Sequence, residues 1–342
     1  MRPLRSMGAR PDPAAMSRST HFDGQRFHNS TPSSVMPPDS ARKLFREMVF
    51  GKEKRRPSSP IPVVTPTEWD TSPGRLSAIW LGHASTLIEI EGRRVLLDPV
   101  WSLRCSPTQL AGPKRLHPMP LALGELPQLD AIVISHDHYD HLDMATVVAL
   151  ARLQSAPFLV PLGVGAHLRH WGVAGERIVE LDWDEEHAVG GLRFVATEAR
   201  HFSGRGFTRN ETLWGSWVIA GARRRVFYTG DTGYFPGFAE IGAQHGPFDL
   251  TLVQIGAYSP YWPDIHMTPD EAIATHVDVR GGLLLPVHWA TFNLALHAWS
   301  EPVDRIWAAA QEQGIDLVVP RPGERLRADD PIPVDGWWQA IA

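Results

Sequence analysis

The sequence predicts an α/β fold in which two sheets of mixed strands pack face to face, with helices on the outside. Three observations carry that expectation. Short apolar runs broken by turn signals recur from about residue 77 onward, as strands do. The runs come in meanders with helical stretches interspersed, not in the strict strand-helix alternation of a doubly wound sheet. A chain of 342 residues that is 43% hydrophobic supplies one sizeable core, so residues 77–342 are expected to form one domain.

Taken in order, residues 1–40 are rich in Pro, Ser, Arg and His, lack periodicity and read as a flexible arm. Met16 is an alternative start within it. Residues 41–76 read as an extension opening with a short basic amphipathic helix. In it Leu44, Phe45, Met48 and Val49 fall at helical spacing, among seven Lys or Arg and two Glu over positions 41–56. Such a helix either lies on an anionic membrane surface or packs as a surface helix on its own domain. The strands Ala78–Leu81, Thr86–Ile90 and Arg94–Leu97 form an opening meander turned at Glu91-Gly92. Ala131–Ile134 follows as a buried strand, then a helix over Met144–Arg152. Phe158–Val160, Ile178–Leu181, Leu192–Thr197, Ser216–Ile219, Val226–Thr229 and Leu250–Ile255 are further strands. Thr268-Pro269-Asp270-Glu271 is a capping box with proline at the first helical position, which starts a helix to about Val279. Leu283–Val287 is a strand and Val303–Gln313 a closing helix.

Composition excludes several classes. A formal charge of −5 argues against a nucleic-acid partner, which calls for a basic face. The lone cysteine, Cys105, rules out an internal disulfide, a Cys-rich zinc knuckle and an iron–sulfur cluster. It fits a reducing compartment, hence a cytoplasmic location, peripheral to the membrane if the basic helix is used. No run of about 18 apolar residues spans a bilayer, no apolar stretch in the first thirty residues reads as a secretory signal, and no 20–50-residue repeat appears.

The strongest chemical signal is His136-Asp137-His138-Tyr139-Asp140-His141 in the loop after a buried strand. Neutral imidazoles and carboxylates suit zinc and similar divalent ions. Four such donors within six positions crowd a single tetrahedral ion, and alternate residues point to opposite sides. Two adjacent ions therefore follow, one on His136 and His138, the other on Asp140 and His141. Burying these groups without ions would leave many polar atoms to satisfy. Further ligands must come from strand ends, where His201, Asp231 and His288 stand. Asp231 lies in Gly230-Asp231-Thr232-Gly233, where glycines allow close backbone approach.

With these residues in place, the chain resembles the metallo-β-lactamase superfamily of dinuclear hydrolases. Within it, the chain is similar to the N-acyl-phosphatidylethanolamine-hydrolysing phospholipase D family. The likeness rests on IWLGHASTLIEI, GPKR, ISHDHYDHLD, GDTGY, HMTPDEA and VHWATF, and covers about Ala78 to Phe292 with a tail to about Glu324. The resemblance implies an αββα sandwich and two zinc ions. It assigns His136, His138 and His201 to the first ion, Asp140, His141 and His288 to the second, and Asp231 as the bridge. The donor types alone would also admit iron or manganese. It further implies catalysis by metal-bound hydroxide, with Asp140, Asp231 and His266 as catalytic residues. The implied substrate is a phospholipid, cleaved to N-acylethanolamine and phosphatidic acid, and the implied assembly a homodimer. No histidine has lysine two places on, so the HxKxxxxD nucleophile of the unrelated phospholipase D superfamily is absent.

Around this set, His83 and Asp98 read as supports at strand ends, and Asp143 as a helix cap. Lys114 and Arg115 either meet substrate phosphate or are solvated charge. Tyr258, Tyr261 and Trp262, with Pro263 and Met267, are expected to line an acyl-chain channel or dip into a membrane interface. The alternative function is hydrolysis of a soluble lactone, cyclic phosphate or phosphodiester. The acidic balance speaks against RNA as that substrate, and the seven filled ligand positions speak against a non-catalytic metal sensor.

Overall fold

The structure, a computed structural model, describes residues 3–34, 40–70 and 72–342. In chain order the strands are β1 (Leu76–Gly82), β2 (Ser85–Ile90), β3 (Arg93–Leu97), β4 (Ala131–Val133), β5 (Phe158–Pro161), β6 (Ile178–Leu181) and β7 (Glu186–Val189). They continue with β8 (Leu192–Thr197), β9 (Ser216–Ala220), β10 (Arg225–Tyr228), β11 (Phe248–Gln254), β12 (Gly281–Val287) and β13 (Arg325–Arg327). The helices are α1 (Pro3–Ser6), α2 (Pro13–Met16), α3 (Ser40–Phe50), α4 (Met144–Leu153), α5 (Val164–Trp171), α6 (Gly237–His245), α7 (Pro269–Asp278) and α8 (Glu301–Gln313). One sheet runs β13-β1-β2-β3-β4-β5-β6 and the other β12-β11-β10-β9-β8-β7. Both are mixed, and helices cover their outer faces, as the sequence predicts.

Alternation along the strands separates the layers. In β1, Ala78 and Trp80 enter the core between the sheets, where Phe194, Trp217 and Phe227 meet them. Ile79 and Leu81 face the other way, onto Val147 and Leu150 of α4 and Leu168 of α5. Because both faces are covered, β1 is buried throughout and reads as a continuous apolar run. The capping box forms as expected, with Glu271 N donating to Thr268 Oγ1 and Thr268 N to the Glu271 carboxylate.

Elements without a clear pattern escaped the sequence reading. β7 is an edge strand, exposed along most of its length, so no apolar alternation marks it. β13 is three residues long. α5 and α6 carry glycines and histidines that depress helical propensity, and tertiary packing overrides that weakness.

Residues 3–34 depart from the expected flexible arm. They lie against the domain, anchored by buried Met16 and Phe27 among Leu162, Trp183, Leu213 and Trp214. Burying a side chain of either kind contributes about 1.5–3 kcal/mol. Two anchors eleven positions apart give no periodicity to read. The rest of that arm, residues 1–2 and 35–39, lies outside the described residues. The basic helix forms as α3, with Phe45 and Phe50 67% and 74% exposed. The side chains of Met48 and Val49, which the expected apolar face includes, lie outside the described ones. Tyr261 Oη donates to Glu47, Trp299 N donates to Lys54 O, and α3 thereby sits beside the loops following β11 and β12. No helix among the described residues is long and apolar enough to cross a membrane.

Candidate metal centre

Strand directions bring the site together. β1 and β3 each run antiparallel to β2, and β3 runs parallel to β4. The C-terminal ends of β1, β3 and β4 therefore share one edge of the first sheet, delivering His83, Asp98 and the 136–141 loop. In the second sheet β8 and β10 are each antiparallel to β9, and β10, β11 and β12 are parallel. Residues His201, Asp231 and His288 leave the ends of β8, β10 and β12 at the matching edge. Ligand sites at the carboxyl ends of parallel strands are the general expectation for such sheets.

Backbone conformation finishes the placement. His83, Asp98 and His288 have φ of 55°, 36° and 66°, in the left-handed region that costs non-glycine residues energy. Three strained residues at one edge mark a site whose geometry is held by its surroundings. Gly230 has φ 57°, and a Cβ there would lie 2.8 Å from the Ser135 side chain. A Cβ at Gly233 would lie 2.1 Å from Asp264 O, so Asp231 reaches the centre only because glycines flank its turn.

Two donor clusters result. In the first, His138 Nδ1 is 2.8 Å from His136 Nε2 and 3.2 Å from His201 Nε2. In the second, Asp140 Oδ2 is 2.8 Å from His83 Nε2, 3.2 Å from His288 Nε2 and 3.4 Å from His141 Nε2. Asp231 Oδ2 stands between them, 3.1 Å from both His141 Nε2 and His288 Nε2 and 3.9 Å from both His136 Nε2 and His201 Nε2. All seven sequence-predicted ligands meet here.

Proton accounting tests whether cations fit. Ser135 Oγ donates to Asp98, so it accepts from His136 Nδ1, which leaves Nε2 of His136 a lone pair. His201 Nδ1 donates to Ile265 O at 2.9 Å, which leaves its Nε2 a lone pair too. Both lone pairs face His138 Nδ1, whose single proton can satisfy only one of them. His141 Nδ1 donates to Asp98 at 2.6 Å, turning Nε2 toward two carboxylates. His141 Nε2 and Asp231 Oδ1 are buried without a hydrogen-bond partner. A cavity of lone pairs and carboxylates, with His136, His141 and His201 each held by a second hydrogen bond at Nδ1, suits divalent cations. The residues fit two: one on His136, His138 and His201, the other on Asp140, His141 and His288, with Asp231 able to reach both.

Electrostatics agree. Burial holds His136 and His201 well below the ordinary imidazole range and lowers His138. Burial works against charge at His141 and His288 as well, but Asp231 and Asp140 together outweigh it. His141 is held well above its usual range and His288 is raised to about 8. Against burial, His141 above all keeps Asp140 and Asp231 well below the usual carboxylate range. The carboxylates are thus ionised and three imidazoles neutral, as ligands must be, and the remaining protons are those a cation would displace.

The supporting residues divide. Asp98 is fully buried and accepts from Ser135 N, Ser135 Oγ, His141 Nδ1 and Tyr228 Oη. His83, expected as a support, approaches Asp140 closely enough to count among the second cluster's donors. Asp143 caps α4, accepting from Ala145 N. His266 lies at the rim, its Nδ1 unpartnered and 3.9 Å from Asp231 Oδ2.

Two expectations need correcting. Arg115 is not solvated charge: it is buried, donates to Val100 O through Nη2 and lies over the Phe292 ring, with Nε and Nη1 unpartnered. Lys114 is exposed. Tyr258 and Tyr261 are buried with their hydroxyls on Glu301 and Glu47, and Trp262 Nε1 donates to Ala257 O at 2.7 Å. This aromatic loop is packed in place by its polar ends, and the buried Tyr258 and Tyr261 do not stand out to dip into a membrane interface. Sequence reasoning missed Asp137, which accepts from Gly204 N, Thr212 Oγ1 and His167 Nε2 and so braces the ligand loop. Strand-like alternation in the H-x-H run, which turns it away from both histidines, was the available signal.

Comparison with known proteins places these features in a family. Residues 93–289 match a family model described as a beta-lactamase superfamily domain. An uncharacterized protein of Mycobacterium tuberculosis is 51% identical over 331 residues, covering 95% of this chain and 89% of its own. The N-acyl-phosphatidylethanolamine-hydrolyzing phospholipase D 1 of Caenorhabditis elegans is 38% identical over 269 residues, 74% of this chain and 75% of its own. Among solved structures, a metallo hydrolase from Ignicoccus hospitalis superposes with a TM-score of 0.55 at 22% identity, over 74% of this chain and 98% of that one, a likeness of fold.

Proposed function

This chain belongs to the beta-lactamase superfamily, as a metal-dependent hydrolase, and from that premise we propose that it cleaves the phosphodiester of an N-acylated phosphatidylethanolamine. The products are an N-acylethanolamine and phosphatidic acid. The observation that carries this reading is the 38% identity, over three-quarters of both chains, to the enzyme named for that hydrolysis. Two divalent cations would supply Lewis acidity toward the phosphoryl oxygens and a shared water of lowered pKa. Zinc suits the nitrogen-rich donor set, and iron is the alternative.

The chain's own residues do the rest. Asp140 and Asp231 bring negative charge between the histidines and orient whatever binds there. His266, kept neutral because burial pushes it down to about 4, offers its unpartnered Nδ1 to the phosphoryl group or departing alkoxide. Two features support a lipid substrate. A cavity of about 400 Å³ beside the ligand loop is lined by Ser102, Pro107, Leu110, Tyr139, Met144 and Arg205, with room for part of an acyl chain. Exposed Phe45, Phe50, Leu103, Leu110 and Phe207 lie on segments around the same edge, where they would meet a bilayer.

The test is mass spectrometry of vesicles containing N-acyl-phosphatidylethanolamine after incubation with zinc-loaded protein. N-acylethanolamine and phosphatidic acid are expected in equal amounts. His266→Ala is expected to slow release by roughly 10²–10⁴-fold while both metals stay bound. Turnover of soluble lactones or diesters with no lipid cleavage would overturn the lipid reading and favour a soluble substrate.

A further inference from the structure

The segment before α3 reaches the metal centre from outside the two sheets. His201 lies beyond the end of β8, where its backbone has no pairing strand. Its neighbour Arg200 bridges Gly233 on one side, with Gly233 N donating to Arg200 O at 2.9 Å. On the other side stands Asn29. Its Oδ1 accepts from His201 N at 3.1 Å and its Nδ2 donates to His201 O at 2.8 Å. A carboxamide in this pose does what an adjacent strand would do for one residue. Asn29 is itself fixed, since Trp214 Nε1 donates to Oδ1 at 3.1 Å and Nδ2 donates to Ser33 Oγ at 2.7 Å.

Three more contacts tie the same segment to the centre. Arg205 is fully buried between the Tyr139 and Trp171 rings and holds the ligand loop by donating to Asp137 O and Leu142 O at 2.6 and 2.7 Å. Its remaining donors, Nε and Nη2, go to Ser6 O at 3.0 and 2.9 Å. Arg200 donates to Pro32 O, and Ser34 N donates to Asp264 Oδ2 at 2.8 Å, two residues before His266. The segment therefore closes hydrogen bonds that the domain leaves open around its own site, where an unmet buried donor is destabilising.

We propose that residues 3–34 are a strap that positions the metal centre, with Asn29 holding the backbone of His201 so that its imidazole stays aimed at the first cation. Asn29 is a positioning residue, for it touches neither cation nor substrate. The proposal rests on the assignment of His201 as a ligand and is independent of what is hydrolysed.

The test measures ions retained when zinc-loaded protein is equilibrated against a chelator of graded strength, alongside thermal unfolding of the metal-free form. Wild type, Asn29→Ala, Asn29→Asp and His201→Ala are compared, with cobalt replacing zinc for a spectrum of the first site. The expected result is that Asn29→Ala weakens one of two ions by roughly 10–100-fold, as loss of a support for a ligand does. The other ion is unchanged, the cobalt spectrum alters, and the metal-free unfolding midpoint falls only by what the lost Asn29 hydrogen bonds cost. Asn29→Asp keeps both acceptor contacts, loses the donor, and falls between wild type and Asn29→Ala. Unchanged retention in Asn29→Ala, or equal weakening of both ions with a lowered midpoint, overturns the strap. Two ions retained by His201→Ala would instead overturn the ligand assignment on which it stands.

Discussion

Replacing Asp231 by Asn should reduce kcat/KM by at least about 10³, roughly 4 kcal/mol of transition-state stabilisation, with the fold intact by circular dichroism. The expectation follows from position. Asp231 Oδ2 stands within 3.9 Å of donors from both clusters, and it is the leading charge raising His141 and His288. Asn keeps the shape and removes the charge, so the centre loses the anion common to its two halves. Metal content should fall below two per chain in the same preparation. Full activity in Asp231→Asn would show that the two clusters do not work as one.

Asp98→Ala should be the most destabilising single change near the site, at about 3–5 kcal/mol in the metal-free protein. The side chain is fully buried, yet four donors converge on it: Ser135 N, Ser135 Oγ, His141 Nδ1 and Tyr228 Oη. Removing the carboxylate strands all four in a dry interior. Asp98→Asn is the gentler probe. Its amide still accepts but no longer fixes the His141 proton on Nδ1, so the fold should survive while metal affinity falls about 10–100-fold. Denaturant unfolding and metal titration separate the two effects. An Asp98→Ala protein as stable as wild type would mean that this network is not holding the ligand loop.

The sequence revealed the layers because burial on both faces leaves long apolar runs, as in β1 and β11. It revealed the centre because four donors are local to one loop, and the other three each follow an apolar run at a strand end. What it hid depends on contacts between distant segments. His83 joins the second cluster through a left-handed backbone turn that no pattern announces. Arg115 and the Tyr258–Trp262 loop carry residue types that suggest ligand contact, but Val100 O, Glu301 and Glu47, elsewhere in the chain, each hold one of their polar groups. Asn29 lies in a stretch without periodicity, 172 positions from His201, and only the folded chain puts the two together.

The central claim is that two cations sit side by side between the sheet edges, sharing Asp231. Diffraction from metal-reconstituted crystals, collected at the absorption edge of the bound metal, tests it directly. Two anomalous peaks are expected, one among His136, His138 and His201 and the other among Asp140, His141 and His288, each adjacent to Asp231. A single peak, or none within reach of Asp231 after full reconstitution, would contradict the account.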